Sequence, residues 1–156
     1  MGRIKAVNML ISRTGPRDYN ELILLWERSV RATHAFLVEK DILRLRDLIL
    51  DPYFDAVDLF CTRDENGAIT GFIGIAKQRI EMLFVDPTRM GQGIGRALVI
   101  DAITTHGITD VDVNEQNPDA VGFYQRMGFV VFGRSETDGE GNPFPILHMR
   151  LANASE

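Results

Sequence analysis

The apolar positions of this chain repeat first at helical spacing, then alternate, then return to helical spacing. From Leu22 onward, Leu25, Trp26, Ser29, Val30 and Thr33 recur three or four residues apart, which predicts a helix over about 17–31. A second helix is predicted over 38–50, with Ile42, Leu45 and Ile49 inward and Arg44, Arg46 and Asp47 outward. Asp51-Pro52 closes it, because the residue before a proline is driven out of helical geometry. The period then drops to two. Strands over 57–62 and 68–76 flank Asp64-Glu65-Asn66-Gly67, whose Asn-Gly pair is a hairpin signal, and a third strand runs over 78–85. Ile94, Ala97, Leu98 and Ala102 share one face of a helix over 94–105. A strand over 109–113, a helix over 118–127 and two closing strands over 129–136 and 144–151 follow, the last pair joined by a glycine-rich hairpin loop. A short strand over 9–13 opens the series, and Thr14-Gly15-Pro16 breaks it. The order β-α-α-β-β-β-α-β-α-β-β predicts one α/β (α+β) domain over 1–156, with a mixed, mostly antiparallel sheet of about seven strands flanked by helices.

Composition narrows the class. Among 156 residues, 45% are hydrophobic and 25% charged, the balance of an ordinary globular domain with a core of its own. No apolar run approaches the roughly 20 residues of a membrane span. The first ten residues are basic but lack the apolar core and cleavage site of a secretory signal. A single cysteine, Cys61, excludes an internal disulfide and falls in a predicted strand as a core thiol. These features predict a cytoplasmic protein with no membrane partner. A net charge of −5 argues against a general nucleic-acid surface, and is compatible with a cationic amine as partner.

One stretch calls for a chemical explanation. The strand over 78–85 ends at Asp86-Pro87, passes Thr88-Arg89-Met90-Gly91-Gln92-Gly93-Ile94-Gly95-Arg96, and opens directly into a helix. Strand, glycine turn and helix N-terminus together make an anion site: the free amides of the first turn and the helix dipole favour a phosphate or pyrophosphate. A Walker A loop would require Gly-Lys-Ser/Thr where Gly95-Arg96-Ala97 stands, and a dinucleotide fingerprint has a different last interval.

The spacing resembles the acetyl-CoA loop of the GNAT superfamily of N-acetyltransferases, Arg/Gln-x-x-Gly-x-Gly/Ala after a strand ending in Val-x-Pro. The two glycines of that pattern fall on Gly93 and Gly95, and its leading Arg/Gln falls on Met90, a departure, with Arg89 one residue earlier. A second block strengthens the resemblance. Asn117-x-x-Ala120-x-x-Phe123-Tyr124-x-x-x-Gly128-Phe129 looks like the later conserved block of the same superfamily, and the predicted element order is the one that fold shows. Read physically, Asn117 is a helix N-cap ahead of Pro118, and Ala120, Phe123, Tyr124 and Met127 form a buried stripe. In the N-terminal third, Trp26, Ser29-Val30, Ala32-Thr33-His34 and Phe36-Leu37 are similar to the bacterial YjaB-type branch. Asn114-Glu115-Gln116, Ser135-Glu136 and Pro143-x-Pro145 later in the chain fit the same branch, which is thought to acetylate peptidyl lysine.

The resemblance implies direct acetyl transfer from acetyl-CoA to a primary amine, on a small molecule or a protein lysine. Backbone groups of Leu83, Phe84 and Val85 would hold the pantetheine arm as an extra strand. Amides of Met90, Gly91, Gln92, Gly93, Ile94, Gly95 and Arg96 would cradle the pyrophosphate. Arg89 and Arg96 would neutralise phosphate or remain solvated charges. Asn117 would contact the cofactor or serve only as a cap. Tyr124 would be the general acid that protonates the leaving thiolate, or a core aromatic. Two residues stand as the base: Glu81, in the strand entering the loop, and His34, after the first helix, which also reads as a structural histidine. Glu81 shares alternation with Leu83 and Val85, so a bulge would be needed to re-aim it. The acceptor groove is expected between residues 33–51 and the 139–145 loop. No metal site is read. A non-catalytic acyl-CoA-binding module and an acetyltransferase for a small amine or antibiotic are the other functions, as monomer or homodimer.

Overall fold

The computed structural model describes residues 9–152, so the reading of the first residues as a non-signal lies largely outside it. Strand β1 (Ile11–Arg13) leads through a 3₁₀ turn at Pro16–Asp18 into α1 (Tyr19–Thr33), and α2 (Glu39–Leu48) follows. Helix α2 is shorter than its hydrophobic pattern predicts. Asp51, held before Pro52, is extended at φ −156° and ψ 112°. A wide turn at Ile49–Tyr53 and a 3₁₀ turn at Phe54–Ala56 then deliver Phe54 fully buried into the core.

The remaining elements are β2 (Asp58–Arg63), β3 (Ile69–Ala76), β4 (Arg79–Val85), α3 (Ile94–His106), β5 (Asp110–Asn114), α4 (Pro118–Arg126), β6 (Phe129–Ser135) and β7 (Ile146–Leu151). The seven strands lie in the order β1-β2-β3-β4-β5-β7-β6, antiparallel everywhere except between β4 and β5. Strand β7 starts two residues later than alternation predicts, since Pro143 and Pro145 have no N–H to give a ladder.

Each face of the sheet buries its own core. Ile73, Ile80, Leu98, Val99, Val111, Val113, Phe129 and Met149 pack under α3 and α4. Leu22, Leu25, Trp26, Phe54, Phe72 and Met82 pack under α1 and α2. The layers are therefore helix, sheet, helix. Helix α3 comes very close to β3: a Cβ on Gly71 would lie 2.6 Å from Ile94 Cγ2, so only glycine allows this approach.

Strand β4 positions the site. On one side it pairs with β3, but opposite Gly74 and Ile75 stand Met82 and Ile80, leaving Glu81 as the extra residue of a β-bulge. The bulge reverses the strand's phase, so that Ile80 faces α3 and α4 while Met82 faces α1 and α2. On its other side, β4 pairs with β5 only through Arg79↔Asp110 and Ile80↔Val111. Beyond that point the two strands part.

Candidate active site

Where β4 and β5 separate, Leu83, Phe84 and Val85 keep their β3 partners and leave the opposite strand edge without a backbone partner among the described residues. This edge runs into the glycine loop. Gly91 and Gly93 have φ of 82° and 84°, a left-handed conformation that glycine adopts without steric penalty, and a Cβ at either would meet nothing within 4 Å. The first intrahelical bond of α3 is Ala97 N–H to Gly93 C=O, at 2.9 Å. The amides of Ile94, Gly95 and Arg96 precede it and are left without intrahelical acceptors, at the positive end of the dipole. Edge and loop bound a cleft of about 540 Å³.

The other wall is α4. Asn117 caps it, its Oδ1 accepting from Ala120 N–H at 3.3 Å, and Pro118 opens the first turn. Both halves of the Asn117 amide are in use, because Nδ2 lies 3.4 Å from His34 Nε2. Tyr124 is 5% exposed, packed edge-on against Phe123 and Phe129, and borders the cleft. Burial pushes its phenol well above the ordinary tyrosine range, so the hydroxyl keeps its proton near neutrality.

His34 reaches the cleft from the end of α1. Thr33 Oγ1 gives its proton to the Ser29 carbonyl at 2.8 Å, so at 2.8 Å from His34 Nδ1 it can only accept. The ring proton therefore sits on Nδ1, and Nε2 turns its lone pair toward the Asn117 amide. Burial holds the imidazole below its ordinary value, which keeps it neutral.

Of the residues singled out from sequence, His34, Leu83, Phe84, Val85, Met90, Gly91, Gly93, Ile94, Gly95, Arg96, Asn117 and Tyr124 all border this one cleft. Gln92 sits in the loop with its side chain in solvent, outside the lining. Glu81 is not among the lining residues either: at the bulge its carboxylate accepts from Arg79 Nε at 2.9 Å. Arg89 borders the cleft but is tied to Asp64 at 2.8 Å. Arg96 and Arg126 border it with no carboxylate partner among the described residues. Sequence reasoning passed over Arg126. Its guanidinium lies back over Gly122, one helical turn earlier, and a small residue at i−4 was the signal. Ser29 and Thr33 also line the cleft unannounced, since both read as part of a buried helical stripe.

The profile of the acetyltransferase (GNAT) domain matches residues 53–152, close to two thirds of the chain. The chain is a GNAT acetyltransferase. It is 40% identical over 139 residues to the peptidyl-lysine N-acetyltransferase YjaB of Salmonella typhimurium, a match covering 89% of this chain and 95% of that one. The solution structure of apo-form YjaB from Escherichia coli superposes with a TM-score of 0.85 at 38% identity, covering 95% and 100% of the two chains. A more distant likeness in fold is the PaiA N-acetyltransferase of Thermoplasma acidophilum in complex with coenzyme A, with a TM-score of 0.68 at 21% identity over 92% and 99%. As a member of this family the protein is an acetyl-CoA-dependent enzyme that acetylates an amine. The open strand edge, the left-handed glycines and the free helix amides suit an extended, phosphate-bearing donor.

Proposed function

We propose that the acceptor is a lysine side chain of a protein, modified in the cytoplasm by a monomer or homodimer, with Tyr124 as general acid. Two considerations support the acceptor: the name carried by YjaB, similar along most of both chains, and the net charge of −5, which suits a cationic partner. The observation that carries the chemistry is the Tyr124 side chain, buried and protonated on the α4 wall of the cleft that the open strand edge and the glycine loop bound.

Acetyl-CoA supplies an acetyl group activated as a thioester. Leu83, Phe84 and Val85 offer it a strand edge, the amides of Ile94, Gly95 and Arg96 offer its diphosphate N–H donors in the first turn of α3, and Arg96 and Arg126 add positive charge. Tyr124 donates a proton to the departing sulfur. His34 steadies Asn117 through Nε2 and keeps the α1 end of the cleft uncharged.

The test uses the full chain. Calorimetry with acetyl-CoA is combined with a thiol-release assay over lysine peptides, polyamines and amino sugars. The proposal expects CoA release to be greatest with lysine peptides. In Tyr124→Phe, turnover falls ~10²-fold or more while acetyl-CoA affinity changes little. Wild-type turnover in that variant removes Tyr124 from the mechanism. Tight acetyl-CoA binding with no amine-dependent release would make the protein an acyl-CoA-binding module instead.

A further inference from the structure

We propose that Thr33 is a positioning residue whose hydroxyl holds His34 in the tautomer with a bare Nε2, and that this nitrogen takes the proton of the acceptor amine in the cleft. The inference rests on the transfer reaction proposed above and supplies the base it needs. Helix α1 ends at His34, whose N–H donates to the Val30 carbonyl at 2.8 Å and whose carbonyl accepts from Leu37 N–H at 3.0 Å. The backbone is thus held on both sides. The imidazole lies 6.4 Å, centre to centre, from the ring of Phe84 in the strand with the open edge, and Nε2 lies 3.4 Å from Asn117 at the head of α4. The ring therefore reaches from one wall of the cleft to the other, and Ser29, Thr33, His34, Asn117 and Tyr124 all line that cleft.

Two independent contacts fix the ring proton. Thr33 Oγ1 donates to the Ser29 carbonyl at 2.8 Å, so it can only accept from Nδ1, 2.8 Å away. From the other helix, Asn117 Oδ1 is taken by Ala120 N–H, which leaves Nδ2, a donor, facing Nε2. Both place the proton on Nδ1. They differ in strength, because 2.8 Å is a full hydrogen bond and the 3.4 Å contact to Asn117 exceeds the ordinary N–H range. Nε2 is consequently a weakly occupied acceptor. An alkylammonium carries donors and no acceptor, so it complements a bare ring nitrogen and opposes a protonated one. Thr33 decides which of the two the cleft presents.

Charged groups surround the ring without touching it. On α1, Arg31 is paired with Glu27 at 2.9 Å and Arg28 with Asp86 at 3.2 Å. On β4, Arg79 is paired with Glu81 at 2.9 Å. On α4, Asp119 and Arg126 border the cleft, and the loop between β6 and β7 approaches His34 through the Phe144 and Phe36 rings. Among the described residues, the hydrogen-bond partners of the imidazole are Thr33 and Asn117, both uncharged.

The protons balance. The acceptor enters as an ammonium, with an ordinary pKa of ~10.4. One N–H bond breaks as its proton passes to His34 Nε2, and the freed electron pair forms the N–C bond to the thioester carbon. The C–S bond breaks, and the leaving sulfur takes the Tyr124 proton. The surplus proton on the new amide nitrogen restores the phenol. The imidazolium, its Nδ1 proton still accepted by Thr33 Oγ1, discharges to solvent.

The test uses the full chain with acetyl-CoA and a lysine-containing peptide, and reads kcat/KM against pH together with the ¹⁵N shifts of His34. In the wild type, Nδ1 is protonated and Nε2 bare. Its kcat/KM falls toward acid pH with a midpoint at the His34 titration, below the ordinary 6.5. In His34→Gln, kcat/KM near neutrality falls ~10²-fold, the usual scale for a lost base. The acidic limb gives way to a steady rise with pH, set by deprotonation of the free acceptor. Thr33→Val keeps the shape and loses the hydroxyl, which puts protons on Nε2 and lowers kcat/KM ~10-fold or more, as a wrong tautomer does. Thr33→Ser restores both the shifts and the rate. Acetyl-CoA affinity, read by calorimetry, stays within about threefold in all three variants, which also reports folding. A wild-type ring protonated on Nε2 overturns the proposal without any variant. So does a His34→Gln protein that binds acetyl-CoA and keeps the wild-type limb, or a Thr33→Val protein with wild-type rate and shifts. A wild-type protein that binds acetyl-CoA yet releases no CoA with any amine fails the transfer reaction itself, and this inference with it.

Discussion

The two sides of the split between β4 and β5 are built from different materials. On the α3 and α4 side the donors are main-chain amides, exposed by left-handed Gly91 and Gly93 and by the first turn of α3. On the α1 and α2 side the polar groups are side chains, held in a chain from Ser135 through His148 and Asp112 to Arg79 and Glu81. A backbone cradle depends on conformation and tolerates change in the side chains it carries, as Met90 at a position usually Arg or Gln illustrates. A side-chain network depends on the identity of every member and on the strands that set them side by side.

That contrast can be broken most strongly at Gly93. In Gly93→Ala the added methyl meets open space, so any loss arises from φ alone. A non-glycine residue at φ 84° costs on the order of 1–3 kcal/mol. If the loop relaxes to avoid that cost, acetyl-CoA binding weakens ~10-fold or more, measured by calorimetry. Unchanged affinity would mean that the loop geometry is not what holds the donor. Met90→Arg sharpens the same point from the other direction. Met90 is 59% exposed at the cleft rim, and a solvated charge there is worth ~0.2–1 kcal/mol, so affinity tightens by no more than about fivefold. A larger gain would show that the loop relies on side chains after all.

His34 joins the two sides, and the smallest effect is the one its substitution has on stability. Burial lowers its pKa from the ordinary 6.5, so the unfolded chain takes up the proton first. The stability this histidine contributes is present above that value and is lost as pH falls from there through the folded-state pKa. Melting temperatures recorded from pH 7.5 to 5 should therefore decline less steeply in His34→Gln, by a few degrees over the range. Parallel curves would place the acid sensitivity elsewhere.

Much of the donor side was legible in the residue order. The glycine spacing and the Asn117 to Phe129 block are local signals, because a loop that binds with its backbone must encode its conformation in contiguous glycines and caps. Asn117 shows the strength of such signals: its capping bond is in place, and its second amide group adds a contact to His34 that no spacing could announce. The α1 and α2 side carried fewer local signals. Glu81 needed a bulge to re-aim it; the bulge is there and its carboxylate accepts from Arg79, but a bulge depends on the register of the neighbouring strand, which no local stretch announces. His148 carried no signal at all. Its partners are 13 and 36 residues away, on strands that become its neighbours only because β7 inserts between β5 and β6.

The chain alone determined the element order and the succession of strand, glycine turn and helix over 78–105, since each follows from periodicity or from the conformational freedom of a few adjacent residues. Tertiary structure decided where β4 parts from β5, which way Glu81 turns, and that a serine, a histidine and an aspartate from three strands share hydrogen bonds. Those outcomes depend on strand register and sheet order, which are set by packing across the whole domain and by no local stretch of it.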